Sequence, residues 1–157
     1  MQEDEKWMKK ALGKAQIAFE RGEVPVGAVI VLENEIVGFG SNQVEESLDA
    51  SAHAEMQAIR MASKRVGNWR LLGATLYTTI EPCTMCMGAI FLARVKRLVW
   101  GAPDLRHGAG GSWVNLLEKR HPTHELEVTK GVLAEEAAQL MKSFFKARRD
   151  GTFQRTN

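Results

Sequence analysis

Two short motifs contain the residues of this sequence that could carry out metal chemistry. The first is His53-Ala54-Glu55, and the second is Pro82-Cys83-Thr84-Met85-Cys86. Two sulfurs spaced C-x-x-C can reach one ion, and an imidazole adds a third ligand of a type that suits zinc. The chain has 157 residues and 2 cysteines, which are too few for a disulfide scaffold. The spacing therefore predicts a zinc site made by His53, Cys83 and Cys86.

Three protein ligands leave the fourth tetrahedral position to water, which is typical of a catalytic zinc, and the ion lowers the pKa of that water. Glu55 is then the candidate that takes the proton of the water and returns it to a substrate. Positions i and i+2 inside a helix do not face one another, so His53 must lie at the very start of a helix with Glu55 in its first turn. We expect both motifs at helix N-termini, where unpaired N–H groups stabilise thiolates.

Other interpretations of these residues predict different features. A thiol redox pair would leave His53-Ala54-Glu55 without a role, and a closed structural zinc site would need a fourth protein ligand. His121 and His124 flank Pro122 at a spacing that does not match zinc fingers. We expect both to be surface or hydrogen-bonding histidines, and His107 either to do the same or to meet substrate.

The elements that must position these motifs follow from hydrophobic periodicity and turn residues. The pattern predicts helices over 4–21, 52–65, 82–93 and 133–149. It predicts strands over 26–32, 35–40, 74–79, 97–100 and 125–129, with a turn at 33–34, a loop at 41–51, a glycine-rich loop at 108–111 and a small element at 114–117. In the last helix the predicted inner side is Leu133, Ala137, Leu140, Met141, Phe144 and Phe145.

This order of elements predicts an α/β fold. Strands joined through helices are expected to pair in parallel, whereas the first two strands form an antiparallel hairpin. The expected architecture is a three-layer α/β/α arrangement with a mixed, roughly five-stranded sheet. We expect one domain over residues 1–157.

Composition narrows the class of protein without identifying a partner. The hydrophobic fraction of 45% and the charged fraction of 25% are those of a globular protein. No signal peptide or membrane-spanning run is visible, so the expected location is the cytoplasm. The net charge of +2 is small, but positively charged residues gather near the C-terminal end beside Phe144-Phe145. They form either a solvated helix face or a surface that binds single-stranded nucleic acid. These cations are Lys142, Lys146, Arg148, Arg149 and Arg155.

The motifs extend over nearly the whole chain. They comprise Gly22-Glu23-Val24-Pro25-Val26-Gly27-Ala28, Ala52-His53-Ala54-Glu55, Glu81-Pro82-Cys83-Thr84-Met85-Cys86, Asp104 with the loop Gly108 to Ser112, and Ser143-Phe144-Phe145. With them the chain resembles the bacterial tRNA-specific adenosine deaminases (the TadA type) of the cytidine deaminase-like superfamily. It departs from that pattern at Ala50-Ser51, where relatives usually carry Pro-Thr, and at Thr123-His124-Glu125, where they often carry Asn-His-Arg.

The resemblance implies hydrolytic deamination of adenosine to inosine at the first (wobble) anticodon position of a tRNA, with release of ammonia. It also implies one Zn²⁺ per subunit, a homodimer, and a tRNA anticodon stem-loop as the partner. By the same resemblance Val26, Asn42 and Ala54 line the base pocket, and four residues approach the flanking nucleotides. These four are Asp104, Arg106, Phe145 and Arg148.

Two alternatives remain open on the sequence alone. The first is a deaminase of a free base or nucleoside, such as guanine or cytosine, which needs no basic and aromatic C-terminal surface. The second is a zinc-stabilised RNA-binding module without catalysis, which needs a fourth protein ligand and does not need Glu55.

Overall fold

A computed structural model describes residues 2–151 of the chain. Ten elements follow one another in this order: α1 (Gln2–Glu20), β1 (Gly27–Leu32), β2 (Glu35–Ser41), α2 (Val44–Ser47), α3 (Ala54–Val66), β3 (Thr75–Ile80), α4 (Thr84–Leu92), β4 (Arg97–Ala102), β5 (Glu127–Lys130) and α5 (Ala134–Arg149). The predicted helices and strands are all present, with ends that differ by at most two residues. Arg155, one of the predicted C-terminal cations, lies outside the described residues.

The five strands form one mixed sheet in the order β2-β1-β3-β4-β5. Strand β1 is antiparallel to both β2 and β3, whereas β3, β4 and β5 are parallel. Helices α1 and α5 cover one face of the sheet, and α3 and α4 cover the other. The predicted three-layer α/β/α fold is therefore confirmed.

Parallel pairing of strands joined through a helix is confirmed for β3 and β4 but wrong for β2 and β3. Strand β1 lies between β2 and β3 and pairs with both. The chain leaves the hairpin from its edge strand, so α3 must cross over β1 before β3 can pair. This crossing places α3 directly over the hairpin.

The hairpin depends on local turn chemistry that the sequence indicates. Glu33 and Asn34 both have positive φ, +50° and +64°, as the two-residue turns that match strand twist require. Strand β1 is buried on both faces, which explains its continuous apolar sequence. The hairpin is thus a rigid support for the helix that follows it.

Helix α3 lies unusually close to the sheet because its buried face is made of alanines. Ala54, Ala58 and Ala62 are fully buried and pack over β2. A Cβ at Gly40 would lie 2.2 Å from the carbonyl oxygen of Ala54, and one at Gly38 would lie 2.3 Å from that of Ala58. These glycines let the helix backbone contact the strand, which fixes the position of the helix start.

Three local predictions need correction. The loop predicted at 41–51 contains the short helix α2, and the stretch 114–117 has no regular element beyond an isolated bridge between Gly110 and Asn115. Phe145, predicted on the inner side of the last helix, is 38% exposed, whereas Phe144 is fully buried against Phe19 of α1. Adjacent helix positions point about 100° apart, so only one of the two rings can enter the core.

Among the described residues, 2–151, no helix combines the length and the apolar character needed to span a membrane.

Candidate metal centre and active site

The two predicted motifs lie at the starts of α3 and α4. His53 and Cys83 are the residues immediately before the first turns, and both have extended backbone, with φ −79° and ψ 152° for His53 and φ −75° and ψ 177° for Cys83. Glu55 lies in the first turn of α3. This is the arrangement that the His-x-Glu spacing requires, because His53 reaches past the helix end while Glu55 stays on it.

The three predicted ligands come together at these helix starts. The Nδ1 atom of His53 lies 3.5 Å from the Sγ atoms of both Cys83 and Cys86. One ligand atom of each residue lies within 4.8 Å of the other two. Two sulfurs and one imidazole nitrogen at this separation fit a single Zn²⁺ ion, so the donor set agrees with the prediction.

Hydrogen bonds within this cluster shift the pKa values of its members in opposite directions. A hydrogen bond with Cys86, and a further one with His53, hold the pKa of Cys83 far below its usual range. The pKa of Cys86 is raised by that same shared hydrogen bond and by burial, and the pKa of His53 is raised mainly by Cys83. The cluster thus favours a thiolate at Cys83, and a dipositive ion would displace the remaining thiol proton.

Glu55 is a buried acid beside the cluster. Its side chain is 4% exposed, and burial raises the pKa of its carboxyl to about 7. A carboxyl that titrates near neutrality can both accept and return a proton at working pH. A metal cation nearby would favour the charged form and act against burial.

A cavity of about 440 Å³ opens above these residues. Its volume suits a small planar molecule such as a nucleobase. Its walls come from the segments after α1 and β2, from the loop after β4, and from α5. Among the lining residues are His53, Glu55, Cys83, Val26, Asn42, Asp104, His107, Trp113 and Arg148.

The predicted base-pocket residues lie at different depths. Val26 and Asn42 line the cavity and are nearly buried. Asn42 is held in place because its Oδ1 accepts the backbone N–H of Ala54 at 2.9 Å. Ala54 itself is fully buried and is absent from the lining of this cavity, so the structure does not place its side chain in the base pocket.

A second cavity, of about 680 Å³, adjoins the first. It brings together Asp104, Arg106, Phe145 and Arg148, the four residues expected near flanking nucleotides. Lys142 and Arg149 also line it. Asp104 and Arg148 line both cavities, so the deep pocket and this basic, aromatic surface are continuous.

Several cavity residues have no role predicted from the sequence, and Trp113, Glu23 and Glu81 are three of them. Trp113 is 61% exposed, and only its place in the chain after the glycine-rich loop links it to the site. Glu23 and Glu81 are almost fully buried acids at the edge of the cavity. The only sequence feature that points to them is their position inside two of the motifs, the one before β1 and the one that contains Cys83. Their roles depend on hydrogen bonds to distant loops, which local sequence does not reveal.

The remaining histidines have other contacts. The ring of His121 stacks on Phe91, with 4.7 Å between ring centroids and 7° between planes. Nε2 of His124 lies 2.6 Å from the carbonyl oxygen of Val95. Neither takes part in the metal cluster found within residues 2–151.

Comparison with known proteins agrees with this geometry. Residues 1–102 match the cytidine and deoxycytidylate deaminase zinc-binding region. The tRNA-specific adenosine deaminase of Bacillus subtilis is 47% identical over 146 residues, with 93% of this chain and 91% of that protein covered. The protein of the same name from Haemophilus influenzae is 49% identical over 148 residues, with 94% and 86% covered.

A solved structure is similar over most of its length. It comes from a study of A-to-I editing by tRNA:A34 deaminases at the wobble position of transfer RNA. It has a TM-score of 0.81 and 43% identity, and the match covers 85% of this chain and 97% of that one. With a His-Cys-Cys cluster, a buried glutamate and these relatives, the chain belongs to the tRNA-specific adenosine deaminase family, within the deaminases that share this zinc-binding region.

Proposed function

We propose that this protein hydrolyses adenosine to inosine at the wobble position of a tRNA anticodon and releases ammonia. The observation that carries this proposal is the placement of Glu55 beside the His53-Cys83-Cys86 cluster, at the base of a nucleobase-sized cavity. That cavity continues into a basic and aromatic surface, as an RNA substrate requires and a free base does not.

The residues of the chain divide the chemical work. His53, Cys83 and Cys86 would hold Zn²⁺, which would supply Lewis acidity and lower the pKa of a water molecule. The carboxylate of Glu55 accepts a proton, delivers it to N1 of adenine, and assists transfer to the departing amine. The balance is adenosine and water to inosine and ammonia, with no external oxidant or reductant.

Burial of the site serves the proton transfer. Glu55 is shielded from solvent, so the proton it carries exchanges with substrate rather than with bulk water. Val26 and Asn42 provide an apolar and a polar wall for a base. An adenine must leave its stack to reach this depth, and an anticodon loop offers an unstacked base at lower cost than a duplex.

The second cavity supports binding of the nucleotides on either side. Arg106 and Arg148 provide cations for phosphates, and Phe145 provides an exposed ring on which a base can stack. The partial exposure of Phe145 is what such a contact needs. We propose that Asp104, Arg106, Phe145 and Arg148 contact the anticodon loop.

We also propose a homodimer formed through α4. This helix, Thr84–Leu92, contains no charged residue. Its outward side includes Gly88, beside which a Cβ would find open space, and Leu92, which is 63% exposed. A helix that is apolar on its outer side as well as its inner side is typical of a buried interface. Because α4 begins at Cys83, such an interface would lie close to the active site.

We also propose a domain organisation and a cellular location for this protein. We propose that residues 1–157 form one deaminase domain, since a single sheet and its helices extend across the described part of the chain. A tRNA substrate also implies a compartment that holds tRNA, and we propose the cytoplasm.

The substrate class is tested with zinc-loaded protein and a set of matched substrates. The set is an anticodon stem-loop with adenosine at the wobble position, the same RNA with adenosine moved by one nucleotide, free adenosine, guanine and cytosine. We expect inosine only in the first RNA, scored by sequencing. Conversion of a free base or nucleoside at a higher kcat/KM than that of the stem-loop would show that the substrate is a small molecule rather than RNA. Binding of the RNA without conversion would indicate a non-catalytic module.

A further inference from the structure

Glu81 is a buried carboxylate to which four donors of one loop converge. Its side chain is 3% exposed. One oxygen, Oε1, accepts the backbone N–H of Asp104 at 3.2 Å and the hydroxyl of Ser112. The other, Oε2, accepts the backbone N–H groups of Gly110 at 2.8 Å and Ser112 at 3.2 Å. Both oxygens are therefore used to hold the segment 104–112.

The same loop also lies against the turn that carries Cys83. The backbone N–H of Ala109 donates to the carbonyl of Pro82 at 2.8 Å, and Gly108 forms an isolated antiparallel bridge with Cys83. A Cβ at Gly108 would lie 2.3 Å from Oε2 of Glu81. The approach is thus so close that the loop can adopt this position only with glycine there.

This loop forms one wall of the active-site cavity. Asp104, His107 and Trp113 line the cavity and lie in or next to the segment that Glu81 holds. Glu81 precedes Pro82-Cys83, so its side chain adds a further link between the metal turn and the wall that faces the substrate. The described residues offer this loop no other buried carboxylate.

We propose that Glu81 is a positioning residue that keeps this wall in its binding-competent form before the substrate arrives. The proposal rests on the proposed function for the identity of the substrate, and on the contacts above for the role of Glu81. If the loop were disordered in the free protein, substrate binding would have to order it at a cost in entropy. Because Glu81 orders the loop beforehand, its loss should chiefly raise KM. An acceptor-only group is required because all four partners are donors.

Glu23 provides a matched comparison on the opposite side of the cavity. It is 2% exposed, and its two oxygens accept the backbone N–H groups of Glu45 at 3.0 Å and Glu46 at 2.8 Å. It therefore holds the α2 segment rather than the 104–112 loop. The two acids are similarly buried but hold different segments of the chain. Their variants should therefore change hydrogen exchange in different peptides.

The test compares the parent with Glu81→Gln. Glutamine keeps the size of the side chain, but its NH₂ group faces two donors and cannot accept from them. We expect KM for the anticodon stem-loop to rise about tenfold, with kcat within about threefold of the parent, since the reacting groups stay in place. Zinc content should be unchanged, and hydrogen exchange should accelerate in 104–113. Glu23→Gln should accelerate exchange around 43–47 instead.

A second variant perturbs the contact from the loop side. Gly108→Ala should displace the loop from Glu81 and reproduce the rise in KM and the faster exchange. Gly13→Ala is its control, because a Cβ at that position of α1 has nothing within 4 Å. This pair keeps the proposal testable if Glu81→Gln does not fold.

The outcomes separate the two proposals. Unchanged exchange in 104–113 in both variants, or an unchanged KM with an active parent, would overturn the role of Glu81. Loss of zinc with a fall in kcat alone would also overturn it, because Glu81 would then serve the metal turn. A parent that converts no stem-loop would refute the proposed substrate, and the exchange measurement would still decide whether Glu81 holds the loop.

Discussion

Asp4 and Glu55 are both buried acids, and their surroundings shift the pKa values of their carboxyl groups in opposite directions. Burial raises the pKa of Glu55 to about 7. Arg97 donates to both oxygens of Asp4, at 2.7 and 2.6 Å, and lowers the pKa of that carboxyl below its usual value. The first environment suits a group that exchanges protons, and the second suits a permanent ion pair that attaches α1 to the sheet.

The ion pair predicts a pH-dependent contribution to stability. Asp4 also accepts the hydroxyl of Tyr77 at 2.9 Å, so Asp4→Asn leaves Arg97 and Tyr77 poorly paired. We expect a loss of about 3 kcal/mol in the free energy of unfolding near neutral pH. Because the folded pKa is lowered, the contribution is complete above the unfolded pKa of about 3.9 and is lost as pH falls through the folded pKa.

Thermal unfolding across pH checks this prediction. The difference in melting temperature between parent and Asp4→Asn should be constant from about pH 5 to 8 and shrink below about pH 4. The control is Glu35→Gln, which removes the exposed partner of Arg65 and should leave the melting temperature unchanged. A difference that persists at low pH would contradict the ion-pair account.

At the scale of elements, the metal site joins two helices that otherwise have few contacts. His53 ends the loop before α3, and Cys83 and Cys86 belong to the start of α4. Zinc therefore connects the helix above the hairpin to the helix between β3 and β4. A ligand that binds only the folded chain stabilises it by mass action.

Removal of the metal should consequently destabilise both helix starts. At a free zinc concentration about 1,000 times Kd the ion contributes about 4 kcal/mol, which corresponds to about 10 °C in melting temperature for a chain of this size. Calorimetry before and after chelation measures this change. The double variant Cys83→Ser with Cys86→Ser should show no further shift with chelator. A parent whose melting temperature is unaffected by confirmed zinc removal would contradict the structural role.

Local patterns predict most elements, and the predictions that fail depend on contacts that the local sequence does not show. The His53 and Cys83 motifs were placed correctly at helix starts because their chemistry depends on adjacent residues. Helix α2 was missed because its first N–H groups are bound by Glu23, about 20 positions earlier in the chain. The pairing of β1 with β3 was also missed, since edge position is a property of the whole sheet. Phe145 was assigned inward because periodicity alone cannot separate two adjacent aromatics.

At the scale of the whole molecule, charge and apolar surface lie in different places. The net charge is only +2, yet Lys142, Arg148 and Arg149 of α5 line the second cavity with Arg106. The uncharged outer side of α4 carries the exposed Leu92. One surface suits a polyanion, and the other suits a second copy of the chain.

The dimer proposal predicts that a charge on α4 separates the subunits. Leu92→Glu places a carboxylate in the proposed interface, so light scattering should show a monomer where the parent is a dimer. Met61→Glu is the control, because Met61 is 38% exposed on α3 in a groove toward α1 and β2. A dimer that survives Leu92→Glu and dissociates with Met61→Glu would move the interface to the β2 edge.

The RNA surface predicts a change in salt dependence. Each phosphate contact in a single strand contributes about 0.7 to the slope of log K against log salt. The double variant Arg148→Ala with Arg149→Ala should therefore reduce the magnitude of the slope for stem-loop binding by about 1.4. Lys9→Ala with Lys10→Ala on exposed positions of α1 is the charge-matched control. An equal slope in parent and α5 variant would remove these arginines from the interface.

The role of Glu55 is tested most directly by inosine formation in a wobble-adenosine stem-loop, measured with parent and Glu55→Gln at equal zinc content. The account predicts conversion by the parent and a loss of about a thousandfold in kcat for the variant, with zinc retained by both. Conversion by zinc-loaded Glu55→Gln at a rate close to that of the parent would contradict the proton-transfer role of Glu55. A parent that binds zinc and converts no adenosine would contradict the proposed reaction itself.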